Sequence, residues 1–312
     1  MGDMLKLLAG SSNVPLATGI AEALGLELGA CEVSRFPDGE LRVDIQTEVR
    51  GDDVYLLQST GPPPHDHLVE LCLLADACRR AGAGRITAVV PYLVYARQNR
   101  RTGPGEPISV RVVADLLTAS GVERLVVVDP HTPDIEAIFD IPVLSTTAVP
   151  VLASALASEV GENAVIVAPD LGAVKLAEQY AAHLDQPVAI IRKTRVSGEE
   201  VEVKAVIGDV RQRTPIIVDD IISTGGTVVS AIGALLEAGC ASDIFVAASH
   251  GLIVAPERLE DVPLRRLIVS DSVPPPSNLP LPSKVATIAE LLAETIRRLH
   301  RERALDEILA LG

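Results

Sequence analysis

The sequence predicts two α/β domains, each built on a mainly parallel sheet covered by helices. Short apolar runs alternate with helical patterns along the 312 residues, and the alternating pattern occurs twice. A single core rarely grows to that length, so two domains of about 150 residues fit it better. Aromatic residues make up only 2% of the chain. The core must therefore consist of Val, Ile, Leu and Ala, as the cores of buried parallel sheets usually do.

Several short apolar runs predict buried strands, at residues 85–90, 124–128, 164–168, 188–191, 215–218 and 244–248. Periodic apolar positions predict helices over residues 67–81, from Pro107 to Ser120, and from the glycines at 225–226 onward. Proline near the start of a helix and glycine just past its end support these boundaries.

The strand–helix pattern is least regular around residues 142–150, where its two repeats join. We therefore expect an N-terminal domain over residues 1–145 and a C-terminal domain over residues 146–283. A last helix, over residues 284–312, carries one apolar stripe. Such a stripe predicts that the helix packs back on the first domain, or alternatively that it forms a coiled-coil tail.

The formal charge of −15 excludes several classes of partner. A field of that sign repels phosphate at long range, so we expect no binding to nucleic acid or to an anionic membrane. The 4 cysteines form no CxxC pair, and the N-terminus lacks the basic and apolar regions of a signal peptide. No apolar run approaches the roughly 18 residues that span a bilayer. These features predict a cytoplasmic protein.

Residues 215–227 give the strongest chemical signal in the sequence. An apolar strand delivers two adjacent acids, Asp219 and Asp220, to its carboxyl end, and a Ser/Thr/Gly turn then opens a helix. Glycines let the backbone approach an anion closely, and helix N-termini bind phosphate. The acids can accept hydrogen bonds from vicinal sugar hydroxyls, which an ordinary capped turn would not explain. The candidate sugar-phosphate ligands are Asp219, Asp220, Ser223, Thr224, Gly225, Gly226 and Thr227.

This segment resembles the phosphoribosyl-diphosphate loop shared by type I phosphoribosyltransferases and ribose-phosphate diphosphokinases. Four further segments resemble the diphosphokinases, in the expected order along nearly the whole chain. The resemblance implies two type I phosphoribosyltransferase-like domains. It also implies an enzyme that transfers the diphosphoryl group of Mg-ATP to the C1 hydroxyl of ribose 5-phosphate. The products would be AMP and 5-phosphoribosyl 1-diphosphate, a precursor for nucleotide biosynthesis.

Residues 34–43 form the first of these segments and place an aromatic residue and two acids in one turn. In the diphosphokinases the matching loop reaches across to a neighbouring subunit and holds the nucleotide base. The resemblance implies that Phe36 stacks on adenine and that Asp38, Gly39 and Glu40 bind around it. Considered without the resemblance, a surface hairpin with solvated acids explains the same residues equally well.

Residues 91–101 form a basic cluster directly after a predicted strand. Arginines at this place create the local positive potential that a triphosphate needs in an acidic protein, although most basic clusters are solvated faces. The resemblance implies an ATP-binding segment, with Arg97, Gln98, Asn99 and Arg101 as its residues. The family more often has Asp where this chain has Asn99.

His131 and Asp170 each lie just beyond a predicted strand. A lone histidine is more often structural than a metal ligand, but both residues match metal-associated positions of the family. The resemblance therefore implies Mg²⁺ as the cofactor, close to the ATP phosphates. Because Mg²⁺ keeps most of its waters, sparse ligation by the protein is sufficient.

Lys193 and Arg195 follow the strand that the sequence predicts to end at Ile191. Cations on a closing loop can stabilise a transferring phosphoryl group, and these two match the family's Lys-x-Arg catalytic loop. The resemblance implies that they are the catalytic residues. Without it, a charged β-hairpin is the better interpretation.

Two other functions stay open from the sequence. A phosphoribosyltransferase would use the same phosphate loop, but it would not need the segments at 36–40 and 97–101. A catalytically silent regulatory subunit would not be expected to keep the catalytic cations and the metal ligands. The resemblance further implies a homo-oligomer, with a dimer as the minimal unit and a tetramer or hexamer as larger forms.

Three departures from the bacterial and animal members resemble archaeal-type enzymes. Ser223 stands where many of them have Asp, and residues 168–176 lack their second Gly and the Arg that follows it. The chain also lacks their Ser-rich ending and offers an acidic pair there, Asp306 and Glu307, where an anion would need donors. We therefore expect activity without added inorganic phosphate, and ADP inhibition that is purely competitive with ATP.

Overall fold

A computed structural model describes residues 4–195, 201–276 and 279–305. Within that range the chain divides into two compact units. Unit 1 comprises residues 4–147, 272–274 and 288–305, and unit 2 comprises the described residues of 148–271 and 275–287. The short segment 272–274 therefore belongs to unit 1, although the chain on both sides of it belongs to unit 2.

Unit 1 is built on five parallel strands connected mainly by helices. In chain order its first elements are β1 (Leu5–Ala9), α1 (Val14–Leu24), β2 (Cys31–Arg35), β3 (Leu41–Ile45), β4 (Asp53–Leu57), α2 (Pro64–Ala81), β5 (Arg85–Val90), α3 (Ser109–Ser120), β6 (Arg124–Val128), α4 (Ile135–Ile138) and β7 (Val143–Thr146). The strand order is β1-β4-β5-β6-β7, while β2 and β3 form a separate antiparallel hairpin.

The central strands of unit 1 are apolar because they are covered by helices. Every residue of β4 is buried, as are nearly all residues of β5 and β6. The helices α2 and α3 bury one face each and end at Gly82 and Gly121. Both glycines have left-handed backbone, with φ of 84° and 108°, which a residue with a side chain would adopt only with strain.

Unit 2 is built on a larger sheet. Its elements are α5 (Val149–Ala157), β8 (Ala164–Ala168), α6 (Val174–Leu184), β9 (Val188–Arg195), β10 (Val201–Ile207), β11 (Thr214–Ile222), α7 (Gly226–Glu237), β12 (Ile244–Gly251), β13 (Leu264–Ser270) and β14 (Ser283–Ala286). The strand order is β10-β9-β8-β11-β12-β13-β14, and β10 is antiparallel to β9 while the other pairs are parallel. Across the described residues of both units, no helix is long and apolar enough to cross a membrane.

The last described helix, α8 (Ala289–His300), belongs to unit 1 and packs on α1. Leu292, Ile296 and Leu299 lie on its buried face, at the spacing of a helix with one apolar stripe. Arg297 Nη2 donates a hydrogen bond to the carbonyl oxygen of Ala23 at 2.8 Å, at the end of α1. Apolar packing and this bond together hold α8 on unit 1.

The predicted start of this helix at Lys284 is wrong. Residues 283–286 form β14 instead, which pairs in parallel with β13 at the edge of the unit 2 sheet. Pro280 and Pro282 precede this strand, and proline favours an extended or turning chain over a continuing helix. Because the ladder with β13 satisfies the backbone of β14, the helix begins only after it.

Two strands continue farther than their apolar runs predict. β11 runs to Ile222 and so contains Asp219 and Asp220, and β9 runs to Arg195 rather than ending at Ile191. The additional residues pair with neighbouring strands, as Asp219 does with Ala248 of β12. Polar residues can continue a strand because the backbone makes the ladder.

Asp53, the first residue of β4, is the centre of a buried charge cluster in unit 1. Its carboxylate accepts hydrogen bonds from Arg85 Nε and Nη2, at 2.8 and 2.6 Å, and lies 3.7 Å from Arg124 Nη2. His300 Nδ1, at the end of α8, is 2.9 Å from the same carboxylate. Burial alone would raise the pKa of Asp53, but the hydrogen bonds from Arg85 and His300 and the nearby arginine charges hold it below its usual value.

Replacing Asp53 by Asn should destabilise unit 1 by about 3–5 kcal/mol, because two arginines would lose their buried counter-charge. The lowered pKa adds a pH signature. The stabilisation by Asp53 should be complete above the unfolded-state pKa of about 4 and should be lost as the pH falls further. Chemical denaturation between pH 3 and pH 7 measures both effects.

The control for this substitution is Asp76→Asn, which removes an acid paired with Arg79 and Arg80 on the surface of α2. Exposed ion pairs contribute little to stability, so this variant should unfold close to the unmodified protein. Equal stability of Asp53→Asn and Asp76→Asn would show that the buried cluster does not stabilise unit 1.

Candidate active site

The turn after β11 in unit 2 has the geometry of an anion site. Ser223 and Thr224 follow the strand, and Gly225 is the N-cap of α7 with a φ of 76°. Among the side chains that the structure describes, none caps the first turn of this helix. The amide groups at the start of α7 are therefore not used by a capping side chain, and the helix dipole favours negative charge at this end.

Gly225 is required at the N-cap for two reasons. Its backbone is left-handed, and a Cβ atom at this position would lie 2.9 Å from Leu259 Cδ2. Leu259 is itself buried, so it has little room to move. A side chain at position 225 would therefore distort the turn.

Asp219 and Asp220 stand side by side just before this turn, both partly exposed. The carboxylate of Asp219 accepts a hydrogen bond from the backbone amide of Asp220 at 3.0 Å. Burial, together with the negative charges of Asp220 and Asp170, raises the pKa of Asp219 from 3.8 to about 8. At neutral pH Asp219 is therefore mostly protonated and can donate a hydrogen bond as well as accept one.

Asp170 follows β8, the strand that pairs with β11. Its Oδ1 accepts hydrogen bonds from the amides of Gly172 at 2.9 Å and Ala173 at 3.3 Å. Asp170 is close enough to contribute to the raised pKa of Asp219. The parallel register thus brings acids from two neighbouring strands to the same edge of the sheet.

This concentration of carboxylates suits a hard cation such as Mg²⁺, which prefers oxygen ligands and would relieve the repulsion between them. Among the described residues, however, no three His, Cys, Asp or Glu side chains form a complete metal-binding group. A cation here would therefore depend on water or on a substrate for most of its ligands.

Lys193 and Arg195 lie at the end of β9, opposite Val203 and Val201 of β10. The resemblance implied a loop at these positions, whereas the backbone continues as a strand that pairs antiparallel with β10, as in the alternative of a charged β-hairpin. The side chains of residues 193–195 and 201–204, and all of residues 196–200, are outside the described part of the chain. The catalytic role of the two cations stays a prediction.

In unit 1 the segment 36–40 joins β2 to β3 as a hairpin turn. The backbone amide of Phe36 donates a hydrogen bond to the carbonyl oxygen of Glu40 at 2.9 Å, which closes the turn. The amide of Glu40 donates to Asp38 Oδ1 at 3.2 Å. Gly39 has a φ of 96°, as this turn requires. Phe36 is 47% exposed, which is unusual for an aromatic residue in a chain so poor in them.

The segment 97–101, also in unit 1, presents exposed arginines on a turn that other residues hold in place. Gln98 Oε1 accepts a hydrogen bond from Ser109 Oγ at 2.6 Å, at the start of α3. Asn99 Nδ2 donates to Thr132 Oγ1 at 3.1 Å. Thr132 is buried, and it directly follows the exposed His131 beyond β6. One hydrogen bond thus connects the basic segment to the histidine loop.

The sequence matches two family models over most of its length. Residues 5–121 match the N-terminal domain of ribose phosphate pyrophosphokinase, and residues 143–262 match the phosphoribosyl transferase domain. The chain is 42% identical over 308 residues to a ribose-phosphate pyrophosphokinase of Caldanaerobacter subterraneus, with 97% of each chain covered. It is 40% identical over 305 residues to that of Bacillus caldolyticus, covering 97% of this chain and 96% of the relative.

The chain belongs to the ribose-phosphate pyrophosphokinase family. Among solved structures it is similar to phosphoribosylpyrophosphate synthetase from Mycobacterium smegmatis, with a TM-score of 0.89 and 38% identity over 96% of this chain and 100% of that one. The fold class predicted from the sequence, with a type I phosphoribosyltransferase domain, is thereby confirmed. The family also decides against the alternative of a phosphoribosyltransferase.

The regions that match the two family models contain most of the predicted site residues. The segments 36–40 and 97–101 lie within the matched N-terminal domain, and Asp170 and residues 219–227 lie within the matched phosphoribosyl transferase domain. His131 lies between the two matched regions. It belongs to unit 1 and Asp170 to unit 2, so the structure describes each of these predicted metal ligands within its own unit.

Two residues near the site had not been singled out from the sequence. Thr132 receives the hydrogen bond from Asn99, and Arg258 lies beside the turn after β11. The position of Thr132 next to His131 was a usable signal. Arg258 gave none, because the surrounding PERLED segment has the mixed charge of an ordinary surface turn.

The raised pKa of Asp219 predicts how pH affects the stability of unit 2. The protonated form is favoured in the folded state, so the contribution of Asp219 is complete below its unfolded pKa of about 4 and is lost as the pH rises through about 8. Relative to Asp219→Asn, the unmodified protein should lose about 3–4 kcal/mol between pH 5 and pH 9, at about 1.4 kcal/mol for each pKa unit titrated. Urea denaturation with EDTA and without substrates measures this difference. Parallel pH curves for the two proteins would contradict the raised pKa.

Proposed function

We propose that this chain transfers the diphosphoryl group of ATP to the C1 hydroxyl of ribose 5-phosphate. The C1 oxygen forms a bond to the β-phosphorus, the bond between that phosphorus and the oxygen bridging to the α-phosphate breaks, and AMP leaves. The C1 hydroxyl proton is released. The observation that carries the proposal is the acid pair two residues before a turn with the geometry of an anion site, in a member of a family whose relatives are named ribose-phosphate pyrophosphokinases.

Ribose 5-phosphate fits the turn of unit 2 from both ends. The 5-phosphate would accept hydrogen bonds from the amides and hydroxyls of residues 223–227 at the start of α7. The vicinal ribose hydroxyls would face Asp219 and Asp220. Because Asp219 is mostly protonated, it offers a donor as well as an acceptor to hydroxyl groups that can act as either.

The ATP site in this proposal belongs to unit 1. Phe36 supplies an exposed ring for stacking on adenine, with Asp38, Gly39 and Glu40 around the base. Arg97 and Arg101 would bind phosphate oxygens, and Gln98 and Asn99 hold their segment through Ser109 and Thr132. The proposed ATP residues are Phe36, Asp38, Gly39, Glu40, Arg97, Gln98, Asn99 and Arg101.

Mg²⁺ fits the acidic edge of unit 2 and would neutralise charge on the phosphates of ATP. His131 and Asp170 are its proposed ligands. Lys193 and Arg195 would stabilise the negative charge that develops on the transferring group, as cations do in other phosphoryl transfers. No side chain is needed as an obligatory general base, because positioning and electrostatics carry most of the rate enhancement in such reactions.

The assembly and environment of the chain are also part of the proposal. The 4 cysteines, Cys31, Cys72, Cys78 and Cys240, are free thiols. Burial and the neighbouring Cys31 raise the pKa of the Cys78 thiol to about 12, so it is protonated and unreactive. A reducing, cytoplasmic compartment suits such thiols.

We further propose a homo-oligomer with a dimer as its minimal unit, and activity without phosphate activation or ADP allostery. The acidic pair invoked for the last point, Asp306 and Glu307, lies outside the described residues.

An assay of the products tests the proposed function. With ATP labelled at the β-phosphorus, Mg²⁺ and ribose 5-phosphate, the label should appear in the sugar product, and AMP should form at the same rate. Omission of ribose 5-phosphate should abolish AMP formation. ADP as the product would indicate transfer of a single phosphoryl group, and absence of any turnover would favour a silent regulatory subunit. Either result would reject the proposal.

The chain offers a matched control for the role of the turn. A second Ser-Thr-Gly sequence, Ser59–Gly61, follows β4 in unit 1. There Thr60 is buried, and its hydroxyl donates to the carbonyl of Tyr92 at 2.7 Å and accepts from the amide of Val94 at 2.8 Å. Thr224→Val should raise the KM for ribose 5-phosphate roughly 10-fold, the loss expected for one hydrogen bond to a charged group. Thr60→Val should lower the melting temperature without a selective change in that KM.

A further inference from the structure

The chain segment that follows β12 forms one wall of the turn in unit 2. The backbone amide of Ile253 donates to the carbonyl oxygen of Ile222 at 3.0 Å, and that of Val254 donates to the carbonyl oxygen of Ser223 at 2.9 Å. These bonds continue the pairing of β12 with β11 beyond the ends of both strands. Residues 252–259 are therefore fixed in register against the turn.

The wall ends in a short 3-10 helix, Pro256–Leu259, which places a cation beside the phosphate turn. Leu259 is buried against the turn and anchors this helix. The Nη1 atom of Arg258 then lies 3.8 Å from the point that a Cβ atom on Gly226 would occupy. Thr224 Oγ1 lies 3.8 Å from the same point. A guanidinium group and a hydroxyl group thus flank one position at the start of α7.

The Arg258 side chain is exposed, and among the described residues it makes no ion pair or hydrogen bond. Three acids follow or precede it closely in sequence, Glu257, Glu260 and Asp261, yet none of them pairs with it. The N-terminal end of a helix carries partial positive charge, so a cation next to it is unfavourable unless an anion lies between them. The position of Arg258 therefore suits the binding of an anion between it and the start of α7.

We propose that Arg258 binds the 5-phosphate of ribose 5-phosphate together with residues 223–227. This inference rests on the proposed function and adds a residue to its sugar-phosphate site. The planar guanidinium group can donate two parallel hydrogen bonds to phosphate oxygens, while the helix amides approach from the other side. The residue contributes to affinity for the phosphorylated sugar and has no contact with the transferring group.

Kinetics of three variants test the role of Arg258. Arg258→Ala should raise the KM for ribose 5-phosphate roughly 5- to 50-fold and leave kcat and the KM for ATP nearly unchanged. Arg258→Lys should recover part of the loss, because the charge remains but the paired hydrogen bonds do not. The control is Arg265→Ala, which removes the same charge from an exposed position near the start of β13, at the opposite edge of the sheet. It should leave the KM for ribose 5-phosphate within about 2-fold.

Calorimetric titration with ribose 5-phosphate, in the presence of Mg²⁺ and a non-hydrolysable ATP analogue, separates this inference from the proposed function. Weaker binding to Arg258→Ala than to Arg265→Ala would support the role of Arg258 even if the unmodified protein formed no AMP. Equal binding by the two variants would overturn it, even if the unmodified protein formed AMP as proposed. An equal rise of both substrate KM values in Arg258→Ala, with a lowered melting temperature, would also overturn it, since the residue would then be structural.

Discussion

The parallel pairing of β8, β11 and β12 is the constraint on which the proposed sugar-phosphate site depends. Parallel strands end at the same edge of a sheet, so their carboxyl ends bring together residues that are far apart in the sequence. β8 delivers Asp170 to this edge, β11 delivers the acid pair and the turn, and the segment after β12 adds a wall. A shift of register between β8 and β11 would move Asp170 away from the acid pair, and a shift between β11 and β12 would move the wall away from the turn.

At the carboxyl ends of the unit 2 strands, a group of acids lies close to a helix terminus that favours negative charge. Burial and the negative charges of the neighbouring acids raise the pKa of Asp219 to about 8, while a few residues later the start of α7 favours negative charge. A sugar phosphate matches this arrangement, because its hydroxyls can satisfy the acids while its phosphate satisfies the helix. A phosphate ion alone would satisfy only one part. The neutral form of Asp219 also reduces the repulsion that an approaching phosphate would meet.

The two Ser-Thr-Gly turns show that a short motif does not by itself make a binding site. In unit 1 the side chain of Ser59 donates a hydrogen bond to the carbonyl oxygen of Ser272 at 2.5 Å. The hydroxyl group of Thr60 donates one to the carbonyl oxygen of Tyr92. A Cβ atom on Gly61 would lie 2.9 Å from Val273. The two hydroxyls of this turn are thus used inside unit 1, that of Ser59 on the segment 272–274 and that of Thr60 on the chain near Tyr92. In unit 2, by contrast, no side chain of the described residues caps the turn.

The sequence was sufficient for the fold class and for the turn of unit 2, because both rest on local patterns. Several strands with a continuous apolar run were recognised, as in residues 164–168. Others were missed, such as β13 with its two arginines and the short edge strand β14. Their stability comes from pairing with neighbours that the sequence alone does not place. The same limit explains why Thr132 and Arg258 were overlooked, since their importance lies in contacts across long sequence separations.

The central claim is that the turn of unit 2 is the binding site for ribose 5-phosphate. A crystal structure of the protein with ribose 5-phosphate and Mg²⁺ tests it most directly. The account predicts the 5-phosphate on the amides and hydroxyls of residues 223–227 and the ribose hydroxyls facing Asp219 and Asp220. A phosphate bound elsewhere, or a sugar whose hydroxyls point away from both acids, would contradict it.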